Sequence, residues 1–587
     1  MSANPPDLTT MEPKGRARNC RFVRHATIPM RDGTILAATI FLPLSIGRYP
    51  VILQRTPYGR LDWADGGDQW AQAGYVFVCQ DTRGRYDSDG TFSPYLQEIN
   101  DTPDTVAWLR RQTWCDGRVG MVGPSYLGLV QTMGVGGGAG PAPDALLPTF
   151  MPCDPWLRGF YNSGPMGFFL TFWWLCFDVG SRQQHGVLMK YFDLPELCRR
   201  LPLATLNESC GAGTNPVWRA MMDHPAYDDY WRAYSVRGQY HRFTMPTLQV
   251  CGWYDYYPAE MIHNWNAMRA AAATPEIAAR HKLLLGPWGH HHDLEPTADG
   301  KRALDFGPQS GFDAMRIYRA WCDRIFMGLA PVDGLGDRPI RLFVMGSNVW
   351  RDEDEWPLAR TRFESWHLHS GGNANTLHGD GKLLRAAHGD SPPDHFTYDP
   401  ANPIPTRGGN HSVGPWNGAY KDLIWCGPCD QRPNEERADM LVYTSAPLAA
   451  DMEVTGPVLL NLWATSSAPD TDFVARLVDT YPDGRAINIT EGIVRARYRN
   501  QDWSQPALIE PGAVLEYRID LQCTSTVFKR GHCVRLEVTS SCFPLWDRNL
   551  NTGEDPNQGT RMEIAHQSIL HDAAHPSHLR LPVIPST

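Results

Sequence analysis

Over the first 150 residues, short apolar runs alternate with amphipathic stretches, a pattern that predicts a mostly parallel sheet covered by helices on both faces. Ile28 to Leu42 reads as a hairpin turning at Arg31-Asp32-Gly33, and Val51-Ile52-Leu53 and Tyr75 to Cys79 read as buried strands. Asp101 to Arg111 carries Val106 and Leu109 at helical spacing. Val119 to Val122 is again a strand, and it runs directly into Gly123-Pro124-Ser125. The same strand signals return at Thr247 to Trp253 and at Lys282 to Leu285. Between them, from Pro152 to Met245, the chain turns aromatic and helical, with Trp156, Phe160, Tyr161, Phe168, Phe169, Phe172, Trp173, Trp174 and Phe177 crowded together. Beyond Thr361, stretches such as Val458 to Trp463, Phe473 to Val478 and Val534 to Thr539 are separated by Pro/Asp/Gly turns, the signature of a β-sandwich. The expected organisation is a discontinuous α/β domain over 1–151 and 246–360, an inserted helical cap over 152–245, and a β-sandwich over 361–587.

Composition narrows this picture. A chain of 587 residues exceeds what one hydrophobic core supports, and 42% apolar residues suffice to fill several. Gly (53) and Pro (48) are abundant without period, which favours turn-rich β structure over a helical bundle. The 64 acidic and 54 basic residues are scattered, giving a net charge of -10 with no basic block, so nucleic acid is not an expected partner. Met1 to Cys20 lacks an apolar core segment and no run of 18 apolar residues occurs, so a soluble, cytoplasmic protein without membrane contact is expected. The 14 cysteines fit reduced, small hydrophobes better than a disulfide framework.

Candidate chemistry centres on Gly123-Pro124-Ser125-Tyr126-Leu127-Gly128, a strand-to-helix junction where a sharp turn holds a serine hydroxyl above a sheet edge. The usual elbow places glycine two residues after the serine. Here Leu127 holds that place and the glycine comes one later, so the motif alone leaves open an ordinary helix N-cap. A serine hydroxyl needs an imidazole to take its proton and a carboxylate to fix the tautomer. Asp255 and His290 follow in the order this fold requires, each just past a strand, which makes Ser125, Asp255 and His290 the expected triad of an α/β-hydrolase. The run His290-His291-His292 before Asp293 suggests a metal tract instead. Consecutive side chains diverge in an extended loop, and no Cys/His cluster stands at zinc spacing, so no metal is expected.

Taken together, the segments Met30-Arg31-Asp32-Gly33, Pro57-Tyr58, Gln80-Asp81-Thr82-Arg83-Gly84, Trp114-Cys115-Asp116-Gly117, the serine elbow, Gly252-Trp253-Tyr254-Asp255 and Gly286-Pro287-Trp288-Gly289-His290 resemble the bacterial cocaine esterase group of serine hydrolases. That group is related to X-Pro dipeptidyl peptidases, glutaryl cephalosporin acylases and α-amino acid ester hydrolases. Ser466 to Phe473, Pro482-Asp483-Gly484-Arg485 and Asn549 to Gly553 continue the likeness into the last domain. The resemblance implies an α/β-hydrolase domain with a helical cap and a C-terminal jelly-roll-like sandwich. It implies the triad named above, and an oxyanion hole formed by the Tyr58 hydroxyl and the Tyr126 backbone N–H. It also implies an acyl pocket lined by Tyr161, Trp174 and Tyr257, no cofactor, and a small ester or amide as partner, and it leaves room for a homo-oligomer.

The expected activity is hydrolysis of a bulky or aromatic carboxylic ester through an acyl-enzyme on Ser125. An amide hydrolase of the X-Pro dipeptidyl-peptidase or β-lactam side-chain acylase kind, or an acyltransferase, would use the same triad, and a catalytically silent ligand-capture protein is the reading from another class. A free-amine substrate would call for an acid near the pocket, a place that the sequence assigns to none of Asp178, Glu208 and Asp228. Trp425-Cys426-Gly427-Pro428-Cys429 spells a thioredoxin redox motif, but Asp430-Gln431-Arg432-Pro433 follows where a helix should begin, so it reads as a decoy.

Overall fold

The computed structural model describes residues 19–184, 186–211, 215–290, 294, 304–330, 332, 335–387, 389–411, 424 and 426–585. Its first sheet has ten strands: β1 (Arg21–Pro29), β2 (Ile35–Leu42), β3 (Tyr49–Thr56), β4 (Val76–Asp81), β5 (Cys115–Pro124), β6 (Ala145–Thr149), β7 (Thr247–Gly252), β8 (His281–Gly286), β9 (Ile340–Val344) and β10 (Val349–Glu353). Their order is β1-β2-β4-β3-β5-β6-β7-β8-β9-β10, and every pairing from β4 through β9 is parallel. Antiparallel pairs close both edges. Strands such as Val76–Asp81 and Thr247–Gly252 are buried at every position because helices cover both faces, which is why they read as continuous apolar runs rather than alternating ones. Three strands of this sheet escaped the sequence reading. Ala145–Thr149 contains a proline, and the β9–β10 hairpin presents a half-exposed edge with no clean period.

Between β6 and β7 the described residues form helices and turns, including Phe168–Trp173, which runs into a π-helical turn Trp174–Asp178, and Pro216–Asp223. Asn215 caps the latter by accepting from Val217 N at 2.9 Å and Trp218 N at 3.2 Å, the preference expected of a short polar N-cap. The aromatic side chains of this insert share one continuous apolar core with the first sheet. A separate core fills a second, 11-stranded and largely antiparallel sheet between Arg362 and Ile584. In it the 15-residue strand Met452–Ser466 pairs with Leu515–Phe528, Ala565–Leu570 and His578–Ile584. Main-chain bonds from Met345 N to Ser525 O and from Val527 N to Met345 O, both 2.9 Å, tie the end of β9 to this second sheet. Among the described residues no helix is long and apolar enough to cross a membrane.

Candidate active site

Ser125 follows the last residue of β5 and immediately precedes the helix Tyr126–Gly136. Its backbone stands at φ 55°, ψ -122°, a left-handed strain that costs on the order of 1–3 kcal/mol and recurs at functional turns. Ser125 N–H donates to Thr149 O at the end of β6 (2.8 Å), and Ser125 C=O accepts from Gly128 N and Leu129 N, both at 3.0 Å. The displaced glycine now has an explanation. A Cβ on Gly123 would lie 2.5 Å from Leu127 Cβ, so the leucine packs over a glycine two residues before the serine. One on Gly128 would crowd Gly123 O (3.2 Å) and Thr149 N (3.3 Å), so the later glycine serves the close approach to β6.

The loops after β7 and β8 are laced together by main chain: Trp253 N donates to Gly286 O (2.8 Å) and Tyr254 N to Trp288 O (3.0 Å). Gly252 permits this, since a Cβ there would fall 2.1 Å from Trp288 O. The lacing sets Asp255 against His290, whose Nδ1 lies 3.0 Å from Asp255 Oδ1. The same oxygen accepts from Tyr256 N (2.6 Å), and Oδ2 accepts from the Cys251 thiol (3.4 Å), a partner that sequence reasoning missed. Burial and the neighbouring carboxylate hold the Cys251 pKa well above its usual value, so it remains a donor. Asp255 and His290 are buried, whereas Ser125 is partly exposed. The imidazole lies between the rings of Phe150 (6.1 Å) and Tyr257 (5.7 Å), and Phe150 follows the Thr149 that anchors Ser125.

Tyr58 is buried one residue past the β3 loop proline. Its hydroxyl accepts from Trp174 Nε1 at 2.9 Å, and the Ser125 side chain stands near enough to act on the phenol. Burial, aided by the charge of Asp178, raises its pKa, so the phenol keeps its proton. The Tyr126 hydroxyl bonds Glu98 (3.0 Å), which turns its ring away into the core, and its N–H, in the first turn of the helix, has no intrahelical acceptor.

The pocket residues expected from the sequence separate into two sets. Trp174 and Tyr257 stand at Tyr58 and His290 respectively. Tyr161 does not: its hydroxyl donates to Met221 O (3.4 Å) and accepts from Asn557 (3.2 Å), and its ring packs against Trp156 and Trp231. The preceding residue, Phe160, packs on Trp174 instead at 5.4 Å, a one-residue offset in a stretch with too many aromatics to fix the register. Of the three acids weighed for a free amine, Glu208 pairs with Arg219 and Asp228 with His224 on exposed faces. Asp178 alone is buried beside Tyr58, and burial pushes its carboxyl up to about 7.

His291, His292 and Asp293 lie outside the described residues, among which no group of three His, Cys, Asp or Glu could hold a metal. Trp425 lies outside them too, while Cys426 and Cys429 are free thiols in a β-bridged loop, Gly427 pairing with Gly409. Burial raises both thiols, Cys429 to about 11, opposite to what a redox cysteine needs.

Comparison with known proteins agrees with this geometry. Residues 32–292 match the X-Pro dipeptidyl-peptidase (S15 family) model, and 336–580 match the X-Pro dipeptidyl-peptidase C-terminal non-catalytic domain. The cocaine esterase of Rhodococcus sp. (strain MB1 Bresler) is 36% identical over 596 residues, covering 96% of this chain and 99% of that one. An α-amino acid ester hydrolase structure superposes with a TM-score of 0.82 at 25% identity, covering 98% and 99% of the two chains. An aminopeptidase from a marine sediment Thaumarchaeota archaeon gives the same TM-score at 24% identity and 99% coverage of both, a likeness of fold. With its elbow serine, laced Asp–His pair and two-part match in hand, the chain belongs to the cocaine esterase group of serine ester hydrolases.

Proposed function

We propose that Ser125 is the nucleophile, His290 the general base and Asp255 its orienting acid in the hydrolysis of bulky or aromatic carboxylic esters. The observation that carries this reading is His290 Nδ1 on the buried Asp255, together with a strained elbow whose serine stands near the Tyr58 phenol. With Nδ1 on Asp255, Nε2 is the nitrogen that takes the serine proton. Ser125 Oγ adds to the ester carbonyl as His290 removes its proton, and the carbonyl electrons move onto an oxyanion. Trp174 donates into a lone pair of Tyr58, which leaves the phenol proton for that oxyanion alongside Tyr126 N–H. His290 then gives its proton to the departing alkoxide. Water, deprotonated by the same imidazole, splits the acyl-enzyme to acid and free serine.

Phe160, Trp174 and Tyr95, the last stacked on Trp174 at 5.8 Å, support an aromatic acyl group on the Tyr58 side. The free cysteines support a reducing, cytoplasmic setting. The test is kcat/KM on an aryl benzoate and its anilide, for wild type and Ser125→Ala. Ester turnover should drop about 10⁶-fold in the variant, with the anilide almost untouched by wild type. Comparable anilide cleavage would make the protein an amidase, and ester activity surviving in the variant would unseat Ser125.

A further inference from the structure

Arg85 is as completely buried as Arg55, Arg476 and Arg495. Those three each sit on a carboxylate: Glu98 for Arg55, Glu491 and Glu537 for Arg476, and Asp472 and Asp547 for Arg495. Among the described residues Arg85 has no ion pair. Its Nε donates to Pro57 O and its Nη2 to Asp178 O, both at 2.7 Å, its Nη1 has no hydrogen-bond partner, and the rings of Phe92 and Tyr86 lie 5.4 and 5.6 Å away. A guanidinium taken out of water, with carbonyls for its hydrogen bonds and only the nearby charge of Asp178 to answer its own, is costly, and stability alone does not account for keeping it.

Both carbonyls belong to the segments that hold one hydroxyl. Pro57 immediately precedes Tyr58. Asp178 ends the π turn that begins with Trp174, the residue donating to Tyr58 OH. Arg85 itself is fixed by Arg85 N–H to Thr82 O (3.1 Å) and by Ser88 N–H to Arg85 O (2.9 Å), a tight turn after β4. We propose that Arg85 is a positioning residue for the oxyanion hole: one rigid fork bolts the Tyr58 loop of the hydrolase sheet to the Trp174 turn of the cap. The planar fork suits this task because it presents two donors at a fixed spacing, which a lysine cannot. The guanidinium charge also favours the ionised phenol, in opposition to Asp178, so it strengthens Tyr58 as a donor.

This proposal rests on Tyr58 being an oxyanion donor, and the experiment separates the two ideas. Steady-state kcat and KM on an aryl benzoate are measured for wild type, Tyr58→Phe, Arg85→Met, Arg85→Lys and the double variant Tyr58→Phe/Arg85→Met. Tyr58→Phe alone should lower kcat about 100-fold or more; an unchanged kcat would remove the donor and the positioning role with it. Given that loss, Arg85→Met should lower kcat about 30-fold with KM within about twofold, the effect of an oxyanion donor displaced by a fraction of an ångström. In the Tyr58→Phe background the same change should cost less than about threefold, because there is no hydroxyl left to aim. An equal loss in both backgrounds, or a loss lying wholly in KM, would overturn the proposal. Should Arg85→Met fail to fold, Arg85→Lys keeps the charge and one bond. It should lose about tenfold in kcat, again only when Tyr58 is present, and a loss independent of Tyr58 overturns the proposal as well.

Discussion

Two buried polar networks in this chain are built on opposite terms. In the Arg495 network of the second sheet the strong groups are spent on one another. Arg495 takes Asp472 through two bonds (2.8 and 2.9 Å) and Asp547 through a third (2.9 Å), while Asn549 Nδ2 reaches both Asp470 and Asp472 at 2.9 Å. Asp547 then accepts from Met166 N (2.6 Å) and donates its own N–H to Met166 O (3.1 Å), so the network holds the cap against the sandwich. At the elbow capacity is held back. Asp255 is satisfied, but the Ser125 side chain is partly exposed, the Tyr58 phenol keeps a proton, and the helix N–H of Tyr126 has no intrahelical acceptor. Saturated networks fix shape; catalysis needs groups held as firmly but with one valence unspent.

Asp255→Asn breaks this comparison from the catalytic side and, after loss of the nucleophile itself, carries the largest expected effect. An amide in place of the carboxylate favours the wrong imidazole tautomer, so kcat should fall about 10⁴-fold while the thermal midpoint moves little. Arg495→Met is its mirror image. It strands Asp472 and Asp547 as buried charges, an imbalance costing about 3–5 kcal/mol, and denaturant melts should show that loss while kcat per folded molecule stays within severalfold. Should Arg495→Met instead abolish turnover in a fully stable protein, the sandwich network would belong to the site.

Asp178 sharpens the contrast, being a buried acid with no hydrogen bond to its carboxyl among the described residues. Its folded pKa is raised to about 7 by burial, with Arg85 opposing, against about 3.9 in the unfolded chain. The folded state therefore holds the proton more tightly. Its penalty is absent below about pH 4, grows between about 4 and 7, and is complete above that. Asp178→Asn removes it. The stability advantage of the variant over wild type should widen by about 3 kcal/mol between about pH 5 and pH 8, read as a growing gap in melting temperature. A gap that does not change with pH would mean that Arg85 neutralises the carboxylate in full.

What could be read from the chain and what could not follow from the range of the interactions. Doubly buried strands print continuous apolar runs, and the order Ser125, Asp255, His290 survives any packing detail because each residue lies just past a strand. Gly252 was visible only as part of a motif; its reason, that only a glycine admits Trp288 O so closely, came from the packed structure. The partners that tune the site come from far along the chain: Trp174 meets Tyr58 across 116 positions, and Asn557 claims Tyr161 across 396. No local period encodes such contacts. For that reason Tyr161 and Phe160 could be told apart only once the cap was packed, and Arg85, one charged residue in a polar turn, gave no signal at all.

The smallest expected effect concerns the thioredoxin-like spelling at Cys426 and Cys429. Cys426 donates to Tyr254 O (3.2 Å) and His411 O (3.4 Å), just behind Asp255, so the motif lies close enough to the triad to be mistaken for part of it. Its chemistry points the other way. Burial and the Asp255 charge disfavour the thiolate, and a thiol with a raised pKa is a poor nucleophile toward disulfides. Serine at both positions preserves a donor to Tyr254 O with a shorter reach, so ester kcat/KM should stay within about threefold of wild type and be the same in reducing and oxidising buffer. A loss of more than about 100-fold with the fold intact would mean that Cys426 sets the position of Asp255, and the catalytic network would then extend into the second domain.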